Sequence, residues 1–159
     1  MIRELQYLLE DPGKEILFAG VGNVLKHDDG VGVFIAQNIK GRDGISVLVV
    51  EMGIENHLGK INSLAPDILV IIDACDFGRA PGFTRLAAVS EMKEMTTNTH
   101  NISLAKLSEL FNMPVYILGI QPADISFGEG MTRQVRWAAE IIIRKLNRKS
   151  LKPLPSDQI

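Results

Sequence analysis

The chain has 159 residues, of which 46% are hydrophobic and 23% are charged, and its formal net charge is −2. This length suits one domain with a sizeable core, and we treat residues 1–159 as a single domain. The net charge is slightly negative, whereas nucleic-acid binding requires a basic surface. No apolar run approaches the roughly 18 residues of a membrane span. We therefore predict neither a nucleic-acid partner nor a membrane segment.

Two further features of the sequence concern the cellular compartment and the state of the cysteine. The N-terminus mixes acidic residues into its apolar ones and lacks the core of a signal peptide, so we expect a cytoplasmic protein. The single cysteine, Cys75, excludes an internal disulfide and a multi-cysteine zinc site. Because Cys75 directly follows an apolar strand, we expect a buried and inert thiol.

Strand and helix periodicities alternate along the chain, starting with a helix that Asp11-Pro12-Gly13 ends. The predicted order is helix 2–10, strand 15–21, helix 30–40, strand 45–50, helix 53–64, strand 67–73, strand 83–89, helix 101–111, strand 115–120 and helix 131–147. This alternation predicts a mostly parallel sheet covered on both faces. The segment 83–89 alternates in polarity and follows Pro81-Gly82, so we interpret it as an edge strand and consider an antiparallel orientation.

Apolar spacing also predicts which helix faces are buried. The expected inward residues are Ile102, Leu104, Leu107 and Leu110 in one helix, and Val135, Ala138, Ile142 and Leu146 in the other. Residues 1–14 form an N-terminal helical extension, and the proline-containing tail 148–159 is expected to be frayed.

Two adjacent carboxylates, Asp28 and Asp29, occupy the turn between the first strand and its helix. In an open α/β sheet this is the carboxyl end of a strand, where ligands bind. A structural Asp-Gly turn needs only one aspartate, so from this segment a plain turn and a site are equally good interpretations. The neighbouring His27 is either a partner of such a site or an exposed side chain.

Polar groups recur at corresponding places further along the chain. Asp73 ends the third strand, and His100 begins the helix after a polar loop. Because the carboxyl ends of parallel strands share one edge, Asp29, Asp73 and His100 can converge there. Two carboxylates and a neutral imidazole suit zinc, nickel or manganese and leave an open coordination position. Each also has a structural alternative as a cap or surface residue, and we interpret Asp76 as an Asx-turn residue.

Common catalytic motifs do not match. Gly20-Val21-Gly22 lacks the third glycine of a dinucleotide loop, since residue 25 is leucine, and the lysine of a phosphate-binding P-loop is missing. The sequence also lacks a zinc-protease helix motif and a nucleophile elbow. Hydrolytic chemistry would therefore have to use carboxylates, the histidine or a metal.

A set of short motifs occurs in order over about residues 15–147, and their ordered combination is specific. They are Gly22-Asn23-x-Leu25, Asp28-Asp29-Gly30-x-Gly32, Gly53, Asp73-Ala74, Asp76-x-Gly78, Pro81-Gly82, Thr96-Thr97, Thr99-His100-Asn101, Leu104 and Gly119-Ile120-Gln121-Pro122. With them the chain resembles the hydrogenase maturation endopeptidases. The likeness is strongest to the branch serving formate-hydrogenlyase-type hydrogenases, on Thr99-His100-Asn101 and Gly119-Ile120-Gln121-Pro122.

This resemblance implies a three-layer α/β/α sandwich around a twisted five-stranded sheet. It implies an aspartic-type endopeptidase that removes the C-terminal peptide of a nickel–iron hydrogenase large-subunit precursor after nickel insertion. By motif position Asp29, Asp73 and His100 are the catalytic and metal-binding residues, and Asp29 is favoured for activating water. The nickel belongs to the substrate, so we expect no permanent cofactor, although zinc or cadmium can substitute. A monomer is the family-like expectation.

The chain departs from the family pattern in two places. Residues 1–14 precede the first family strand, and Thr96-Thr97-Asn98-Thr99-His100 carries extra residues inside the usual motif. Two other hypotheses stay open from the sequence alone. One is a non-enzymatic, metal-dependent module that binds the precursor, and the other is a metal-dependent hydrolase of small molecules.

Overall fold

A single five-stranded sheet organises the chain. The computed structural model describes residues 3–92 and 103–148. The helices and strands are α1 Arg3–Glu10, β1 Ile16–Val21, α2 Val31–Asn38, β2 Ile45–Glu51, α3 Leu58–Leu64, β3 Ile68–Ala74, β4 Thr84–Ala88, α4 Leu104–Leu110, β5 Val115–Ile120 and α5 Arg133–Asn147. Short 3-10 turns precede α2 and α3, at His27–Gly30 and Ile54–His57. Apart from Arg148, the predicted tail 148–159 lies outside the described residues.

The strand order is β2-β1-β3-β5-β4. The first four strands in this order pair in parallel, whereas β4 pairs antiparallel with β5 at the edge. The prediction of a mostly parallel sheet with one antiparallel edge strand is therefore confirmed. The third strand, β3, is central, and its burial on both faces explains its continuous apolar sequence.

Two apolar clusters cover the two faces of the sheet, which gives three layers. One cluster joins alternate strand residues to α1, α2 and α5, and the other joins the remaining strand residues to α3 and α4. Leu5 of α1 is fully buried in the first cluster, and Leu8 and Leu9 pack against it. The N-terminal helix thus packs on the sheet in the same layer as α2 and α5.

The predicted burial of α5 is confirmed, because all four residues of its stripe are buried. The prediction is wrong for Leu110 in α4, which is exposed although Leu107 is buried. The helix ends at Leu110, and the next residue, Phe111, enters the core in its place. Ile102 and the side chain of Leu104 lie outside what the structure describes.

Within the described ranges no helix is long and apolar enough to cross a membrane.

Candidate active site

The sheet topology creates a crevice between β1 and β3. The chain leaves β1 through α2 to reach β2 on one side, then returns through α3 to β3 on the other side. The helices α2 and α3 cover opposite faces of the sheet, so the connection that leaves β1 and the connection that enters β3 run in opposite directions from these neighbouring strands. Ligands bind outside the carboxyl ends of the strands at such a point. Asp29 follows β1 and Asp73 lies near the end of β3, so both residues lie at the carboxyl ends of the strands that meet at this point.

Two glycines allow the Asp29 turn to approach the strands. A Cβ at Gly32 would lie 2.5 Å from the carbonyl oxygen of Val21 in β1 and closer still to that of Ile72 in β3. Gly22 has a φ of 144°, and a Cβ there would overlap the carbonyl oxygen of Asp29. The first turn of α2 can therefore pack directly on both strands only because these positions lack side chains.

Asp29 is buried, at 3% exposure, within the turn His27–Gly30. Its Oδ2 accepts a hydrogen bond from the backbone N–H of Asn23 at 3.0 Å. The Asn23 side chain in turn accepts from the N–H of Leu25 at 3.0 Å, which closes the turn after β1. The loop therefore fixes the orientation of the Asp29 carboxylate.

Asp73 is fully buried in the central strand. It pairs with Gly119 of β5, and its Oδ1 accepts from the N–H of Ala74 at 2.8 Å. Its negative charge adds to the effect of burial in raising the pKa of the Cys75 thiol far above its ordinary value. The thiol is protonated and inaccessible, in agreement with the expectation of an inert cysteine.

Asp28 has a different role from its neighbour. This fully buried carboxylate crosses to the segment between β5 and α5, where Oδ2 accepts from the N–H groups of Ala123 and Asp124 at 2.8 and 3.0 Å. It also accepts from the N–H and hydroxyl of Thr132, at 2.7 and 2.8 Å. Asp28 therefore ties the Asp29 turn to the start of α5, and the second aspartate of the pair is explained by structure.

We expect Asp28→Ala to lower the free energy of unfolding by about 3 kcal/mol, because it leaves several backbone and hydroxyl donors without their charged acceptor. Urea titration measures this loss. The matched control is Asp76→Ala, whose exposed carboxylate accepts from only one backbone N–H, that of Gly78, and from the side chain of Gln121, so its loss should cost less. Equal losses in the two variants would contradict the assigned role of Asp28.

Gln121, which the sequence analysis named within the motif Gly119-Ile120-Gln121-Pro122 but gave no role, organises the turn after β3. Its Oε1 accepts from the N–H groups of Phe77 and Arg79, and its Nε2 donates to Asp76. Asp76 also accepts from the N–H of Gly78, as an Asx turn requires. The hydrogen bond from Gly78 is the main cause that lowers the pKa of Asp76, and the one from Gln121 adds to it. The signal in the sequence is a lone polar residue directly after the apolar strand β5.

His27 is half-buried, and its ring packs against Gly128. Its Nδ1 lies 2.9 Å from the carbonyl oxygen of Gly130, and its backbone N–H donates to the carbonyl of Gly128. His27 therefore helps to join the two loops at the carboxyl edge, and the expectation of an exposed side chain is wrong.

His100 lies outside the described residues, so its place beside the two carboxylates stays a prediction. Among the described residues no three histidine, cysteine or carboxylate side chains come together as a metal site. Carboxylate oxygens such as those of Asp29 and Asp73 bind a borderline divalent metal when an imidazole completes the set of ligands. A complete set of three therefore needs a residue beyond those described.

We expect Cys75→Ala to retain full activity, because the buried thiol takes no part in the chemistry. The raised pKa also predicts that the native protein resists iodoacetamide at about pH 8.5, where an ordinary thiol is half ionised. Mass spectrometry of the alkylated protein checks this, with the urea-unfolded chain as the reactive control. Rapid alkylation of the folded protein, or a folded but inactive variant, would contradict the expectation.

Two open grooves of about 710 Å³ are lined by residues of α5 and of the segment before β4. Trp137 of α5 and Gly82 line both of them, together with parts of α1 and β4 in one case. Neither contains Asp29 or Asp73. The candidate site is therefore defined by the chemistry of the carboxyl edge.

Comparison with known proteins assigns the chain to a family. Residues 35–148 match the family model HycI, hydrogenase maturation protease. The Hydrogenase 3 maturation protease of Escherichia coli strain K12 is 33% identical over 132 residues, which cover 79% of this chain and 85% of that protein. The solution structure of the endopeptidase HycI from Escherichia coli is 30% identical, with a TM-score of 0.73 and coverage of 84% of this chain and 89% of the other.

A further solved structure supports the fold. The [NiFe] hydrogenase maturation protease HycI from Thermococcus kodakarensis KOD1 has a TM-score of 0.76 at 24% identity, and the match covers 91% of this chain and 96% of that one. The chain belongs to the hydrogenase maturation protease family, and it is a peptidase. The resemblance inferred from the ordered motifs is thus confirmed.

Proposed function

We propose that the protein removes the C-terminal peptide of a nickel–iron hydrogenase large-subunit precursor after nickel insertion. Placement of Asp29 and Asp73 at the β1–β3 crevice is the observation that supports this most strongly. Family membership supports the peptidase chemistry and weighs against the hypotheses of a binding module or a small-molecule hydrolase.

Asp29, Asp73 and His100 are proposed to recognise nickel already bound in the substrate. Carboxylates and a neutral imidazole match the ligand preferences of that metal, so a precursor that carries it binds better than one that does not. Selectivity is a difference between these two affinities, and it requires no metal held permanently by the peptidase.

Asp29 is the proposed water-activating residue, acting as a base or through the metal. Water adds to the carbonyl carbon of the scissile peptide bond, and its proton passes to the base. The C–N bond then breaks, and the leaving amine takes up a proton. The hydrogen bond from Asn23 keeps the Asp29 carboxylate oriented for this transfer.

The experiment is the replacement of His100. We expect His100→Ala to remain folded by circular dichroism and to abolish processing, because the variant removes one of the three side chains proposed to bind the nickel of the substrate. Intact mass of the nickel-loaded precursor after incubation gives the readout. A folded variant that still releases the C-terminal peptide would overturn the assignment of His100.

A further inference from the structure

Four exposed apolar side chains lie on the two segments that frame Asp29. Val24 and Leu25 belong to the turn after β1, and Ile125 and Phe127 belong to the segment after β5. Their exposed fractions are 46% for Val24, 55% for Leu25, 42% for Ile125 and 79% for Phe127. We name these residues the edge patch. Single exposed apolar residues are common, but several on adjoining segments mark an interaction surface.

Hydrogen bonds join the two segments that carry the edge patch. The N–H of Gly128 donates to the carbonyl of Leu25, and the N–H of His27 donates to the carbonyl of Gly128. Lys26 and Gly128 form a parallel bridge, and the Lys26 ammonium lies 5.3 Å from the centre of the Phe127 ring. The patch is therefore built on one connected piece of backbone together with Asp29.

Local contacts also fix the conformation in which Phe127 is presented. Asp124 accepts hydrogen bonds from the N–H and hydroxyl of Ser126, at 2.8 and 2.6 Å. Asp28 accepts from the N–H of Asp124 and holds the far end of the segment at Thr132. These bonds hold the backbone that carries the exposed side chain of Phe127, and a segment with a preorganised backbone loses less entropy when a partner covers it.

From this geometry we infer that the edge patch, centred on Phe127, docks an apolar segment of the hydrogenase precursor beside the peptide bond to be cut. This inference rests on the proposed function. Any protein cut at Asp29 must lie across this edge of the sheet, and the patch is continuous in backbone with the turn that holds Asp29. Aromatic anchors near the centre of an interface supply much of its binding energy.

The test compares Phe127→Ala with wild type in cleavage of the nickel-loaded precursor and in its equilibrium binding. We expect KM and Kd to rise at least about tenfold, with kcat within about twofold, because the ring contacts the substrate away from the reacting atoms. Phe127→Leu should recover part of the affinity. The matched control is Tyr7→Ala, an aromatic that is 74% exposed on α1, and it should change neither constant.

Unchanged KM and Kd in a folded Phe127→Ala variant would overturn the inference. A shift in sedimentation of the wild type that Phe127→Ala abolishes, without a change in precursor binding, would also overturn it, because the patch would then join copies of this chain. If the wild type binds the precursor but leaves its mass unchanged, the proposed function fails, while the binding constants still decide the role of the patch.

Discussion

Replacing Asp29 with asparagine is expected to lower kcat for precursor cleavage by roughly a hundredfold to ten-thousandfold, the contribution of a positioned general base. The amide can still accept the hydrogen bond from the N–H of Asn23, so the turn after β1 should keep its conformation. The variant therefore separates loss of the carboxylate from loss of structure. Intact-mass time courses with the nickel-loaded precursor measure the rate, and urea titration measures the stability.

Asp76→Asn is the matched control for this variant. Its carboxylate lies in the turn after β3, and an asparagine at the same place can still accept from the N–H of Gly78. We expect its cleavage rate to equal that of the wild type. A folded Asp29→Asn variant that cleaves at the wild-type rate would remove Asp29 from the chemistry.

The second large effect is expected for Gly32→Ala, which should lower the free energy of unfolding by about 3 kcal/mol. The new Cβ would overlap the carbonyl oxygens of Ile72 and Val21, and both belong to buried strands that have no room to move. The first turn of α2 would shift away from the sheet and carry Asp29 away from Asp73. We therefore expect cleavage to fall as well.

Gly59→Ala in α3 is the matched control, because a Cβ there has no neighbour within 4 Å. In a helix this substitution should be neutral or stabilising by up to about 1 kcal/mol. Urea unfolding of both variants gives the comparison. Stability of Gly32→Ala close to that of the wild type would contradict the close packing of α2 on β1 and β3.

The sequence predicted most of the fold because each periodicity is strong and local. The strand Val115–Ile120 has the predicted bounds, and the stripe of α5 is buried as its spacing requires. Errors arose where a helix ends. At Leu110 the next residue, Phe111, is buried instead, and local spacing carries no information about which side chain fills the core when a helix stops.

The candidate site was predictable in part. The rule that ligands bind at the carboxyl ends of parallel strands pointed to the Asp28-Asp29 turn and to Asp73, and the resemblance favoured Asp29 over Asp28. The partners of Asp28 were not predictable, because they lie about a hundred residues away in the chain. The same holds for Gln121, whose bonds reach the turn after β3.

The most direct test of this account is the intact mass of the hydrogenase large-subunit precursor, prepared with and without nickel and incubated with this protein. We predict that only the nickel-loaded form loses a short C-terminal peptide, because nickel recognition by Asp29, Asp73 and His100 precedes cleavage. Equal cleavage of both forms would contradict nickel recognition. An unchanged mass in both forms would contradict the proposed substrate.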